Sequence, residues 1–264
     1  MPSDSPLPAH QTKHLPTLTY PFIYSTFYLA QSSDGTSNGT ALWLGAQLLS
    51  AYLAAELKDV HLKTTRPRAV ELGSGIGLTA LALASLGYDV LATDTAYVCD
   101  SVLRNNIRTN LPHLHSTRAG TVQVRALDWL VSSDMWNWGD PLSITPAAQS
   151  NEGPEASGVE ETLRPPFDLI VSSDTLYDES LIDPLFTTLQ ALFIQGRDTT
   201  SFLPNKPPVI LIALERRDPA LISTALARAP EELVQVPTRK LKKALDRSGI
   251  RWDGVEIWRG VGRL

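Results

Sequence analysis

The sequence predicts an α/β protein whose mostly parallel sheet has helices on both faces and an antiparallel last strand. Apolar runs of strand length alternate with helical patterns from residue 69 to residue 229, and strands separated by helices pair in parallel through right-handed crossovers. The chain closes on two short strand patterns, Leu233–Val236 and Gly254–Arg259, with one basic helix between them. Because no full helix follows, the last strand is expected to insert antiparallel.

The N-terminal region is predicted to lead into the sheet through one strand and one helix. Residues 1–18 are rich in Pro, Ser and His and are expected to be a disordered tail. Residues 19–31 alternate and are rich in aromatic residues, so they predict a strand. After a turn at 32–40, the apolar spacing of residues 41–57 predicts an amphipathic helix.

The central elements follow from apolar periodicity and from glycine and proline boundaries. The predicted strands and helices are, in order, strand Ala69–Leu72, helix Leu78–Leu86, strand Asp89–Thr93, helix Tyr97–Asn110, strand Thr121–Trp129, strand Phe167–Ser172, helix Leu181–Phe193, strand Pro208–Leu214 and helix Pro219–Ala229. Residues 132–166 lack periodicity and are predicted to be a mobile insertion. With 264 residues, the chain suits a single domain over 19–264.

The composition limits the class of protein. The net charge is −5, so nucleic acid and anionic membrane surfaces are not expected partners. Cys99 is the one cysteine, which excludes an internal disulfide, and no apolar signal core opens the chain. His113 and His115 lack further ligands, so no metal site is expected. We expect a cytoplasmic or nuclear monomer.

The glycine-rich turn after the first central strand predicts a nucleoside cofactor, because backbone N–H groups at such a turn can approach a ligand. Two patterns overlap there. Gly75-x-Gly77-x-x-Ala80 fits the dinucleotide fingerprint, and Glu71-x-Gly73-x-Gly75-x-Gly77 fits the pattern used for S-adenosylmethionine. A carboxylate at the end of the next strand, Asp94, can bind both ribose hydroxyls in either case.

Two later strand ends help to separate these alternatives. Asp128-Trp129 ends the third strand, where an aromatic face can stack on adenine in a methyltransferase. Ser173, Asp174 and Tyr177 follow the fourth strand. Since open α/β sheets bind ligands beyond the carboxyl ends of their strands, these side chains are expected at the functional edge.

Several motifs, taken in order, resemble the seven-strand S-adenosylmethionine-dependent methyltransferases of family 16, the protein-lysine methyltransferase-like group. The similar segments are GTALWLGAQLLSAYL, VELGSGIGLTALALASLG, ATDTAYVCDSVLRNNIRTN, ALDW, SSDTLYDESLIDPLFTTL, IALERRD and VEIWR. The resemblance covers roughly residues 20–260 and implies a Rossmann-like fold. The tail has no equivalent in the family, and the insertion at 132–166 is long for its simplest members.

The resemblance also implies roles for individual residues. It implies that S-adenosyl-L-methionine binds against Trp43 and the main chain of the glycine motif, with Asp94 on the ribose, Trp129 beside the adenine and Ser173 near the methionine end. Asp174 and Tyr177 would face the substrate, a protein lysine, and the methyl group. The implied cofactor-binding residues are Trp43, Glu71, Gly73, Ser74, Gly75, Gly77, Asp94, Trp129 and Ser173.

Three other functions stay open from the sequence. A small-molecule methyltransferase would use the same cofactor, although no narrow apolar lid is evident. An NAD(P)-linked oxidoreductase would use the second glycine pattern, but a Tyr-x-x-x-Lys pair is missing. A non-catalytic family member that binds partners is the third, and the intact glycine, Asp94 and Asp174–Tyr177 motifs argue against it.

Overall fold

A seven-stranded sheet with helices on both faces forms the body of the protein in the computed structural model. The structure describes residues 7–32, 37–57, 65–114, 119–146, 161–195, 207–230, 232–245, 252 and 254–261. The sheet strands are β3 (Arg68–Leu72), β4 (Asp89–Asp94), β5 (Val122–Ala126), β6 (Leu169–Ser173), β7 (Val209–Glu215), β8 (Val234–Gln235) and β9 (Val255–Val261).

The sheet order is β5-β4-β3-β6-β7-β9-β8. Strands β3 to β7 pair in parallel, and β9 inserts antiparallel between β7 and β8. The predicted fold class, a seven-strand and mostly parallel sheet with an antiparallel last strand, is therefore confirmed. The order reverses at β3 and β6, and in open α/β sheets such a reversal opens a crevice at the carboxyl ends of the strands.

The helices cover both faces of this sheet. They are α1 (Ala9–Thr12), α2 (Leu44–Glu56), α3 (Leu78–Ser85), α4 (Ala96–Val98), α5 (Arg104–Asn110), α6 (Glu179–Gln195), α7 (Pro219–Arg228) and α8 (Thr238–Leu245), with a π-helical turn at Cys99–Leu103 between α4 and α5. Helices α2, α3, α5 and α8 share one apolar cluster, and α6 and α7 share the other. None of the described helices is long and apolar enough to cross a membrane.

Alternate strand residues supply the two clusters. On β3, Ala69 belongs to the α2–α3 side, whereas Val70 and Leu72 belong to the α6–α7 side. On β6, Val171 and Ile170 divide in the same way. Because successive side chains of a strand point to opposite faces, a continuous apolar run is what a strand covered on both faces requires.

The N-terminal region differs from its prediction in two respects. The predicted single strand at 19–31 is wrong, because β1 (Thr17–Phe22) and β2 (Ser25–Ala30) form an antiparallel hairpin. Ile23 turns the chain with a φ of 52°, a conformation that L residues other than glycine rarely adopt. The turn of the hairpin thus contains no glycine from which the sequence could have predicted it.

The prediction of a disordered tail over residues 1–18 is corrected for residues 7–18. The buried Gln47 side chain accepts a hydrogen bond from Leu7 N at 2.9 Å and donates one to Leu7 O at 2.8 Å. The buried Gln31 amide donates to Thr12 O and Leu15 O. Two side-chain amides thus hold this segment against the hairpin and α2, and residues 1–6 lie outside the described residues.

The described ends of the predicted insertion lie along β5, the edge strand of the sheet. Arg125 is fully buried, and its guanidinium donates to Asn137 O and Leu163 O. Gln123 donates to Glu161 O at 2.8 Å and accepts from Leu163 N at 2.7 Å. Both flanks therefore cover an otherwise open strand edge. Residues 147–160 lie outside the described residues, so the mobility of the insertion stays a prediction.

Candidate active site

A cleft opens beyond the carboxyl ends of β3, β4, β6 and β7, where the strand order reverses. Its cavity has a volume of about 170 Å³. Its lining includes nine of the residues that the sequence singled out: Trp43, Gly73, Ser74, Gly75, Asp94, Trp129, Ser173, Asp174 and Tyr177. Residues that are distant in the sequence thus meet at the edge predicted for a functional site.

The glycine turn after β3 forms the floor of the cleft. Gly73 and Gly75 have φ values of 72° and 54°, in the left-handed region that favours glycine. A side-chain carbon at position 73 would lie 2.6 Å from Thr175 Cγ2 and 3.4 Å from an indole carbon of Trp129. Only glycine therefore lets this turn lie so close to the far wall of the cleft.

Asp94 ends β4 and holds the same turn. Its Oδ2 accepts a hydrogen bond from Gly75 N at 2.9 Å, and its Oδ1 accepts one from Thr95 N at 2.8 Å. Burial raises the pKa of Asp94, although these donors oppose the shift. Oδ1 also accepts a long hydrogen bond of 3.5 Å from Thr95 Oγ1. An ionised carboxylate has about four acceptor sites, so Oδ2 keeps capacity for a ligand hydroxyl, and a second hydroxyl can replace Thr95 Oγ1 at Oδ1.

Asp174 joins three segments on the other side of the cleft. Its Oδ2 accepts from Gly45 N at 2.6 Å, in the first turn of α2, and its Oδ1 accepts from Glu215 N at 3.0 Å, at the end of β7. The residue has a φ of 54°, which is uncommon outside glycine. Burial raises the pKa of Asp174 to about 6, against the opposing effect of these donors and of the Arg217 charge.

Trp43 and Tyr177 complete the walls of the cleft. Trp43 is the N-cap of α2 with extended backbone, and its Nε1 donates to Asn38 O at 2.7 Å. Tyr177 is 49% exposed, so it lies at the mouth of the cleft. Burial and nearby carboxylates raise the pKa of Tyr177, which keeps its hydroxyl neutral at physiological pH.

Two predicted cofactor contacts, Glu71 and Gly77, do not line the cleft. Glu71 is buried within β3, and burial raises its pKa to about 8. Gly77 begins α3, and a side-chain carbon there would lie 2.8 Å from Leu103 Cδ1 and 3.1 Å from Ile107 Cδ1. The absence of a side chain at position 77 therefore serves helix packing behind the cleft.

Other lining residues were missed from the sequence, and Arg217 is the most conspicuous of them. Its guanidinium carbon lies 4.2 Å from the centre of the Trp43 ring, within the range of a cation–π interaction. Asn38, Gly39 and Thr175 also line the cleft. Arg217 follows a buried parallel strand directly, so the rule that ligands bind at carboxyl strand ends could have identified it.

The chain has several relatives among known proteins. It is 32% identical over 154 residues to methyltransferase-like protein 22 of Homo sapiens, covering 58% of this chain and 34% of that protein. It is 28% identical over 179 residues to protein N-lysine methyltransferase METTL21A of Mus musculus, covering 68% and 66%. The chain thus spans about a third of the length of the first relative.

Among solved structures, a Pyrococcus abyssi tRNA (uracil-54, C5)-methyltransferase in complex with S-adenosyl-L-homocysteine aligns with a TM-score of 0.46 at 13% identity. The alignment covers 94% of this chain and 44% of that one. A family model described as lysine methyltransferase matches residues 26–139, which include most of β2, Trp43, the glycine turn, Asp94 and Trp129. This match spans less than half of the chain.

Proposed function

We propose that the protein is an S-adenosylmethionine-dependent protein-lysine N-methyltransferase. The observation that carries the proposal is the cleft, because the glycine turn and Asp94 meet Asp174 and Tyr177 there. A nucleoside-binding half and a half suited to an amine thus share one space. The family match over residues 26–139 and the lysine methyltransferases among the relatives support the same activity.

The described residues fit this cofactor. The spare acceptor sites of Asp94 suit the ribose hydroxyls. The indole of Trp129 lines the cleft, and its buried Nε1 has no hydrogen-bond partner among the described residues. Trp129 can therefore offer an aromatic face to an adenine. The main chain of Gly73–Gly75 and the Trp43 ring would contact the rest of the cofactor, with Ser173 near its methionine end.

When bound, the cofactor supplies an electrophilic methyl group on a sulfonium. The protein has to deliver a neutral amine, and a free lysine has a pKa of about 10.4. Partial burial of the amine beside Tyr177 would lower that pKa. Asp174 keeps acceptor sites besides those used by Gly45 N and Glu215 N, so it can orient the amine through a hydrogen bond. Tyr177 would wall the path by which the side chain enters.

The direct test is cofactor binding followed by methyl transfer. Calorimetric titration of the chain with S-adenosylhomocysteine should show micromolar binding, and NADH should show none. Transfer of radiolabelled methyl groups to proteins of a cell extract should follow. Binding of NADH in place of S-adenosylhomocysteine would identify an oxidoreductase. If neither ligand binds, the chain would be a non-catalytic protein of this fold that binds partners.

The roles of Asp174 and Tyr177 are tested by the rate of methyl transfer with the cofactor saturating. Asp174→Ala and Tyr177→Phe should each reduce that rate. Tyr28→Phe is a matched control, because Tyr28 is 50% exposed and lies on the hairpin outside the cleft lining. Full activity in both cleft variants would show that these roles are wrongly assigned, even if the cofactor binds.

A further inference from the structure

The charge of Arg217 is unusual for its position in the cleft. Three carboxyl groups line the cleft, those of Asp94, Asp128 and Asp174, and Arg217 is the one basic side chain among the described lining residues. An acidic lining suits a sulfonium and an amine. A guanidinium in the same space can bind a negatively charged group of a ligand through the N–H groups that its protein partners leave free.

Two contacts fix the position of this guanidinium. The Trp43 ring lies 4.2 Å from its carbon. Glu215, at the end of β7, accepts hydrogen bonds through Oε2 from Arg217 Nε at 2.8 Å and forms an ion pair with Nη2 at 2.7 Å. A side chain that is already held in place loses little conformational freedom when a ligand binds, which favours affinity.

The pair with Glu215 leaves half of the guanidinium available. Glu215 occupies the edge formed by Nε and Nη2, whereas Nη1 and the second hydrogen of Nη2 have no acceptor among the described residues. The side chain of Arg217 is 43% exposed. A guanidinium presents two parallel N–H groups on such an edge, the geometry that matches a carboxylate.

We propose that this free edge of Arg217 binds the amino-acid carboxylate of the cofactor. The inference rests on the proposed function and goes one step beyond it. S-adenosylmethionine carries a single carboxylate, at the end opposite its ribose. The sheet order β4-β3-β6-β7 places Arg217 three strands away from Asp94, roughly 14 Å at the usual strand spacing. A cofactor held at Asp94 by its ribose would therefore extend toward the β7 side.

The carboxylate can be tested apart from the rest of the cofactor. We would titrate the protein with S-adenosylhomocysteine and with its decarboxylated analogue, which differs only in lacking the carboxylate. Arg217→Gln should bind S-adenosylhomocysteine about tenfold or more weakly than the native protein, since hydrogen bonds to charged groups are of that strength. The variant should also bind the two ligands nearly alike, whereas the native protein should prefer the one with the carboxylate.

Arg216→Gln is the matched control, because it removes the same charge from the neighbouring position. Arg216 pairs with Glu256 at 2.8 and 2.9 Å and does not line the cleft. This control should keep the native preference for the carboxylate. Arg217→Lys should recover part of it, since the charge returns without the planar fork. Thermal melts of the variants would check that each one folds.

Each outcome bears on the proposal. If Arg217→Gln lowers the affinity for both ligands by the same factor, Arg217 acts only by shaping the cleft and the inference is wrong. If Arg217→Gln leaves both affinities unchanged, the inference is also wrong. An acidic residue of the substrate protein would then be the alternative carboxylate for Arg217. If the native protein binds neither ligand, the proposed function itself fails.

Discussion

The two halves of the cleft differ in how they are assembled. The β3–β4 half consists of the glycine turn at residues 73–75 and Asp94, which hydrogen-bonds Gly75 at 2.9 Å within one strand–turn–helix–strand unit. The β6–β7 half centres on Asp174, which joins Gly45 to Glu215, and on Arg217, which lies over Trp43. The first half is local in sequence, whereas the second exists only once distant segments have folded together.

This difference leads to separable expectations. Substitutions in the β3–β4 half should weaken cofactor binding and leave the rest of the fold intact. Changes at Asp174, in the β6–β7 half, should disturb the packing of α2 on the sheet as well as the chemistry, because Asp174 serves both. Four substitutions test this distinction, in order of decreasing expected magnitude.

Asp94→Ala should have the largest effect and should act on cofactor binding. It removes the acceptor of two ribose hydroxyls, and two hydrogen bonds to a charged group correspond to about 4 kcal/mol, or on the order of 1000-fold in affinity. Calorimetry with S-adenosylhomocysteine measures it. Asp89→Ala, at the other end of the same strand, should leave the affinity unchanged. Comparable losses in both variants would mean that β4 as a whole was disturbed.

Glu71→Gln should show how the buried Glu71 carboxyl, behind the β3–β4 half, makes the free energy of unfolding depend on pH. Burial raises the pKa of Glu71 to about 8 from about 4.5, so the folded state holds a proton that the unfolded state releases between these values. The free energy of unfolding of the native protein should therefore fall, relative to the Gln variant, as the pH rises from 5 to 8. The slope is about 1.4 kcal/mol per pH unit at most.

Urea denaturation of both proteins at pH 5, 6.5 and 8 measures this difference, which should reach about 3 kcal/mol. The exposed Glu179 provides the control, since Glu179→Gln should follow the native curve at every pH. Parallel curves for the native protein and Glu71→Gln would show that the Glu71 carboxyl is ionised in the folded state.

The sequence predicted the β3–β4 half well, because its signals are short-range. Gly73 and Gly75 have positive φ, which is a conformation that glycine favours, and Asp94 ends a strand that can be recognised from the sequence. Arg217 and the hydrogen bond between Gly45 and Asp174 were not predicted. No local sequence pattern indicates which distant main-chain N–H group will donate to a given carboxylate. The hairpin was missed for a related reason, as Ile23 adopts a turn conformation that its side chain does not favour.

Gly45→Ala should have a smaller effect than the first two and should act on the β6–β7 half. A side-chain carbon at position 45 would lie 2.6 Å from Asp174 Oδ2, so α2 or Asp174 must move. Overpacking of this kind destabilises by about 2 kcal/mol. Urea denaturation and the rate of methyl transfer should both report it. In an Asp174→Ala background the clash is gone, so the stability cost of Gly45→Ala should nearly disappear; equal costs in both backgrounds would show that the two residues are not coupled.

Trp129→Leu should have the smallest effect, because it removes one aromatic face and leaves an apolar wall. Loss of stacking corresponds to about 1 kcal/mol, or about fivefold in affinity for S-adenosylhomocysteine. Trp136→Leu is the matched control, since Trp136 lies in the same region outside the cleft lining. A fivefold loss in the first variant alone, with native stability in urea, would place the adenine against Trp129. Equal affinities in the two variants would move the adenine elsewhere in the cleft, and the β3–β4 half would then bind the ribose through Asp94 without an aromatic partner.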